Sequence, residues 1–130
     1  MKEPVWIERD EARLIHQMQL AEHGGPNGIR DQGLFESALD RPRNLFAYSD
    51  PPTDIFQLAA SYAFALAKNH AFVDGNKRTA FVVCLSFLWQ NGILLTATAE
   101  DRYLTFYALA AGELTEAELA GWLRERASVA

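Results

Sequence analysis

Apolar residues recur at helical spacing along most of the chain, and the places where that spacing stops mark the elements. From about Arg9 to His23, Leu14, Ile15 and Met18 share one helical face, and Gly24-Gly25 ends the run. A second helix is predicted from Asp31 to Arg41, with Leu34, Phe35, Ala38 and Leu39 inward and Pro42 as its stop. "RPRNLFAYSDPP" then reads as a loop with an aromatic centre. Asp50 or Thr53 can open the third helix, "DIFQLAASYAFALAKNH", which is apolar almost all round. "TAFVVCLSFLWQ" has the same character and stops at Asn91-Gly92. Helices without a polar face are buried on all sides, so these two should form the centre of the fold. A helix is expected over Ala99 to Ala111. The last one carries a capping box at Thr115 and Glu118 and a staple of Leu114 on Leu119, with Leu119, Trp122 and Leu123 inward. "VWI" reads as a short strand or a packing arm, and "ILLTATA" as ambiguous. The predicted fold is all-α: one domain over residues 1–130, a compact bundle of about six helices.

The stretch joining the two central helices is "HAFVDGNKRTA", His70 to Ala80. Lys77 and Arg78 stand at the start of an apolar helix, where the peptide dipoles already place about half a positive charge. That placement makes sense if an anion is the missing partner. Gly75 permits backbone angles other residues resist. The free N–H groups of the turn from Asn76 to Thr79 make an anion site, completed by the point charge of Lys77 and the fork of Arg78. Asp74 is a hard carboxylate of the type Mg²⁺ prefers. A phosphate chain with Mg²⁺ on Asp74 describes the tail of a nucleoside triphosphate. Imidazoles titrate near neutral pH, so His70 is placed to take a proton. Base, metal carboxylate and phosphate cradle are the parts of phosphoryl-type transfer. Asp74 and Asn76 also read as plain capping residues, a role compatible with the other.

Net charge is −5 and the pI about 5.1, which argues against a broad nucleic-acid or anionic-membrane surface. The single cysteine, Cys84, cannot close an internal disulfide and reads as core. The opening stretch lacks a signal-peptide core, and no apolar run has membrane-spanning length, so a cytoplasmic protein is expected. His16 and His23 read as surface residues of the first helix, Trp89 and Trp122 as packing residues. "GIRD", Gly28 to Asp31, is either a turn held by an Arg30–Asp31 network or part of the site rim.

"HAFVDGNKRTA" resembles the signature of the Fic/Doc family, most closely its Doc (death-on-curing) toxin branch. His70, Phe72, Gly75 and Asn76 match that signature, and Asp74 fills its acidic position. "GGPNGIRDQGLFESALDRP", from Gly24 to Pro42, is similar to the upstream half of Doc-type chains. The resemblance implies His70 as general base, Phe72 as buried loop anchor, Asp74 on Mg²⁺, Gly75 and Asn76 in the anion nest, and Lys77 and Arg78 on the phosphates of ATP. Ala71 replaces the usual Pro. Lys77 and Phe81 replace a Gly and an Arg of the AMP-transferring members, changes that Doc toxins share. The implied activity is therefore a protein kinase acting on a threonine of a translation elongation factor, within a toxin–antitoxin module. The implied partner is an antitoxin whose C-terminal segment folds onto the toxin near the site. An AMP transferase and a non-catalytic phosphate-binding module are the alternatives. An RNA-cleaving toxin is disfavoured by the acidic balance. Asn44 to Tyr48 would dock a target segment or an antitoxin helix if exposed.

Overall fold

The computed structural model describes residues 2–130. These form α1 (Arg9–His23), α2 (Gln32–Tyr48), α3 (Ile55–Asn69), α4 (Asn76–Gln90), β1 (Ile93–Leu95), α5 (Ala99–Ala110), α6 (Glu116–Glu125) and β2 (Ala127–Val129). The all-α expectation holds. The one sheet is the antiparallel pair of β1 with β2, with Leu94 opposite Ser128. None of the described helices is long and apolar enough to cross a membrane.

The central rod is α3, which packs most extensively on α4, then on α2 and α6. Nine of its residues are buried on all sides of the helix, Tyr62, Leu58 and Leu66 among them. It starts later than expected. Asp54 accepts from the Gln57 N–H while the Gln57 side chain accepts from the Asp54 N–H, a reciprocal box that neither Asp50 nor Thr53 can make. The box at Thr115 and Glu118 opens α6 as predicted, and its hydrogen bonds hold the Glu118 carboxyl below the usual carboxylate range.

Pro42 does not end α2. The helix runs through it to Tyr48, so "NLFAY" is helical and not a loop. The lost backbone bond of an interior proline is opposed by burial that continues past it. Phe35, Ala38, Leu39 and Pro42 are buried in one stripe, and Leu45 and Phe46 extend it half-buried. Trp6 explains the extension: the "VWI" segment is a packing arm, with Trp6 edge-on to Phe46 and stacked on Phe87. Ile7 donates its N–H to the Tyr62 hydroxyl at 3.0 Å.

Two further expectations fail in α1 and α4. Leu14 and Met18 are exposed, because the inward face of α1 is Ala12, Ile15 and His16. Trp89, expected to pack, is 60% exposed; α4 buries only the face of Thr79, Ala80, Val83, Cys84, Phe87 and Leu88. Leu14, Met18, Val82 and Trp89 instead line a shallow groove between the two helices. Trp122 does pack, edge-on to Phe106. Cys84 is core, and burial pushes its thiol up to about 12.

Candidate active site

His70 closes α3 in the left-handed region, at φ 50° and ψ 47°; among the described residues no other non-glycine has a positive φ. Such a conformation costs roughly 1–2 kcal/mol and needs external support. Arg30 supplies it. Its Nε donates to the His70 carbonyl at 2.7 Å and an Nη to the Asn69 carbonyl at 3.2 Å, so the guanidinium caps the end of α3. The imidazole of His70 is left facing solvent.

The loop after His70 is held from three sides. The 28–31 segment pairs with it along the backbone: Arg30 and Asp31 donate their N–H groups to the Ala71 carbonyl at 2.7 and 3.1 Å. Val73 donates to the Gly28 carbonyl at 3.1 Å, which makes Ile29 and Phe72 an antiparallel bridge. Asp31 then caps α2 through its side chain, so Arg30 and Asp31 serve different helices and form no mutual network. From within, Asn76 clamps the loop. Its Oδ1 accepts from the Phe72 N–H and its Nδ2 donates to the Phe72 carbonyl, both at 3.0 Å. The Asn76 side chain thus shapes the loop, while its backbone N–H stays at the open end of α4.

The third support is His16, which is buried and not on the surface. Its ring lies flat on Phe72, centroids 3.8 Å apart and 9° from parallel. Its Nε2 lies 2.8 Å from the Asp74 carbonyl, and since a carbonyl only accepts, that nitrogen carries the hydrogen. Phe72 is buried and also meets Phe35 edge-on at 5.5 Å. One Asp74 carboxylate oxygen accepts from the Gly75 N–H at 2.8 Å. The other lies so close to Gly25 that a side chain there would collide with it, so Gly25, at φ +117°, leaves the room that Asp74 occupies. Gly75 has φ +79° and opens α4.

At the first turn of α4, Lys77 Nζ rests over the rings of Tyr107 (4.7 Å) and Tyr103 (5.8 Å) on α5. Arg78 is half-buried, and its Nε is shut from solvent with no hydrogen-bond partner. Every other arginine has an acceptor. Arg9, Arg13, Arg41, Arg43, Arg124 and Arg126 pair with carboxylates. Arg30 and Arg102 bond carbonyls. Arg78 is the exception among the described residues. A half-buried guanidinium at the N-terminus of a helix, beside a second cation, is electrostatically unsatisfied unless an anion sits there. His23, at the end of α1, lines the same hollow as Lys77 and Arg78. No group of three or more His, Cys, Asp or Glu converges among the described residues. Asp74 offers a carboxylate on this loop, a ligand type of which Mg²⁺ takes one or two, with water and phosphate oxygens completing its shell.

His16 and Gly25 were legible as candidates only in part. His16 follows Ala12 at the i+4 spacing of a buried stripe, but two larger apolar residues, Leu14 and Met18, point the pattern elsewhere. Gly25 reads locally as a helix stop, and its contact with Asp74 is made across distant sequence.

A model of the Fic/DOC family matches residues 6–88. "Protein kinase doc" of Escherichia phage P1 is 36% identical over 118 residues, which covers 91% of this chain and 92% of that protein. "Toxin Doc" of Mycolicibacterium smegmatis (strain ATCC 700084 / mc(2)155) is 42% identical over 74 residues, 57% of each chain.

Proposed function

We propose, from the premise that this chain belongs to the Fic/DOC family, that it is the toxin of a toxin–antitoxin module and acts as an ATP-dependent protein kinase. Its target is a threonine hydroxyl of a translation elongation factor, and modification of that factor stops translation in the cytoplasm. The observation that carries the reading is Arg78: a guanidinium at the open end of α4 with a buried, partnerless Nε. Phosphate oxygens of ATP satisfy it bidentately, joined by Lys77 and by the N–H groups of Asn76 and Lys77.

The chemistry follows from the order of groups around the loop. The target hydroxyl oxygen attacks the γ-phosphorus of ATP, and the bond from that phosphorus to the β,γ-bridging oxygen breaks. ADP leaves, and a ring nitrogen of His70 takes the hydroxyl proton. The Asp74 carboxylate would hold Mg²⁺, which would supply neutralisation of charge on the phosphates. Arg30 and the 28–31 segment keep His70 at its unusual backbone angle, which aims the imidazole outward at an incoming protein. An antitoxin segment that covers the loop would silence the site.

Two positions favour phosphoryl over AMP transfer. Lys77 adds a side-chain charge where a glycine would leave a bare nest. Phe81 stands where the AMP-transferring pattern has a second arginine, and it packs edge-on to Phe106 at 4.8 Å. The test is the position of the label. Purified protein is incubated with elongation factor Tu and ATP labelled at the γ- or the α-phosphorus. Label from the γ position alone is expected, and none with His70→Ala. Label from the α position would mean AMP transfer. Transfer that survives in His70→Ala would remove the base.

A further inference from the structure

An asparagine precedes a glycine at Asn27-Gly28 and again at Asn91-Gly92, and the fold treats the two pairs in opposite ways. In such a pair the backbone nitrogen after the asparagine can attack the side-chain amide carbon, because glycine puts no side chain in its path. At Asn91 both reactants are tied. Its Oδ1 accepts from the Val5 N–H at 2.8 Å, and its Nδ2 donates to the Val5 and Phe87 carbonyls at 3.0 and 2.8 Å. The Gly92 N–H is engaged by the Trp89 carbonyl at 3.0 Å. At Asn27 neither is held elsewhere. The residue is exposed, and Gly28 donates its N–H to the Oδ1 of Asn27 itself, at 2.8 Å. That one bond keeps the attacking nitrogen against the amide it attacks. Asp74 and Gly75 share a bond of the same kind at 2.8 Å, but a carboxylate is a poorer electrophile than an amide, and Gly75 is buried.

We propose that Asn27 is a self-modification site, converted through a succinimide to aspartate and isoaspartate, and that the isoaspartate form loosens the 28–31 segment from the catalytic loop. The Gly28 nitrogen gives its proton to a solvent base and bonds to Cγ of Asn27. The bond from Cγ to the side-chain nitrogen breaks, and ammonia leaves with a proton from water. Water then opens the five-membered ring. Opening at Cγ restores the original backbone with an aspartate at position 27. Opening at the α-carbonyl sends the backbone through Cβ and Cγ, which lengthens it by a methylene and leaves a new carboxylate beside it. No oxidant or reductant is needed. The lengthened link lies immediately before Gly28, whose carbonyl accepts from the Val73 N–H at 3.1 Å next to the Ile29–Phe72 bridge. The inserted methylene therefore acts on the outer support of the loop.

The wild-type protein is kept folded in mildly alkaline buffer, with a parallel sample in urea, and both are followed by peptide mapping and mass spectrometry. The folded sample should lose Asn27 to aspartate and isoaspartate while Asn91 stays intact, and in urea both asparagines should convert. The isoaspartate form is then isolated by chromatography. Its Val73 amide should exchange with deuterium roughly fivefold faster than in Asn27→Asp, which adds the same charge without lengthening the backbone. Folded Asn27 that stays intact while it converts in urea, or folded Asn91 that converts alongside it, overturns the site. Equal exchange at Val73 in the isoaspartate form and in Asn27→Asp overturns the loosening of the loop. None of these readouts depends on what the first turn of α4 binds.

Discussion

His16 gives the sharpest prediction about the loop, because it is a buried polar residue whose whole surroundings are known. Its Nε2–H is the partner of the Asp74 carbonyl, and its ring covers Phe72. Truncation to alanine leaves that half-buried carbonyl without its donor, a loss of about 1–2 kcal/mol. It also removes a stacked ring pair, for a further ~0.5–1.5 kcal/mol. His16→Ala should therefore cost about 1.5–3.5 kcal/mol. For a domain of this size, each kcal/mol lowers Tm by roughly 3–6 °C, so the melt followed by far-UV circular dichroism should fall by about 5–21 °C. His16→Phe separates the two parts: it keeps the ring face and loses only the donor, so it should cost about 1–2 kcal/mol. His23→Ala, at an exposed position of the same helix, is the control and should stay within ~0.5 kcal/mol of wild type. If His16→Ala melts with wild type, the carbonyl has another donor, and α1 does not brace the loop.

Other consequences are as direct. Gly25→Ala forces a side chain into Asp74 at a positive φ. It should destabilise by ~1–3 kcal/mol, and magnesium-dependent ATP binding should weaken while the far-UV spectrum stays that of wild type. Asn76→Asp keeps the acceptor for the Phe72 N–H but sets a carboxylate oxygen against the Phe72 carbonyl. A loss of about 1–3 kcal/mol is expected in urea denaturation. Burial raises the Cys84 thiol from 9 to about 12 and the Tyr62 phenol from 10 to about 12. Both groups ionise first in the unfolded chain, so their contribution to stability is lost as pH rises. Stability should fall as pH rises from about 9 towards 12, more steeply above about 10 where both groups contribute. Urea midpoints measured across that range check the slope, and Cys84→Ala should abolish its lower part.

The sequence carried the helices, the centre of the bundle and the loop motif, because those depend on local spacing. The apolar ring of α3 and the capping box of α6 can be read directly, and so can the burial of Phe72. Pro42 misled, since the penalty of a proline in a helix is local while its compensation comes from Trp6, far away in sequence. Leu14, Met18 and Trp89 misled for a related reason: apolar character marks a face without saying whether a neighbour covers it. The partners of the loop are long-range throughout. Arg30 reaches across forty residues to the His70 carbonyl, and His16 across fifty-eight to Asp74. No spacing rule reports such contacts. The tail strand β2 was invisible for the same reason, since Ala127–Val129 becomes a strand only by pairing with Ile93–Leu95.

Phosphate at the first turn of α4 is the central expectation, and Arg78 is the residue to remove. Its Nε has no partner to lose, so Arg78→Ala should leave the unfolding midpoint near that of wild type. Calorimetric titration with MgATP should give a saturable heat with wild type. Hydrogen bonds to a charged group are worth about 1.5–3 kcal/mol, so the variant should bind at least tenfold more weakly. A wild-type protein that takes up no MgATP at millimolar concentration, or an Arg78→Ala variant that binds it as wild type does, contradicts the account.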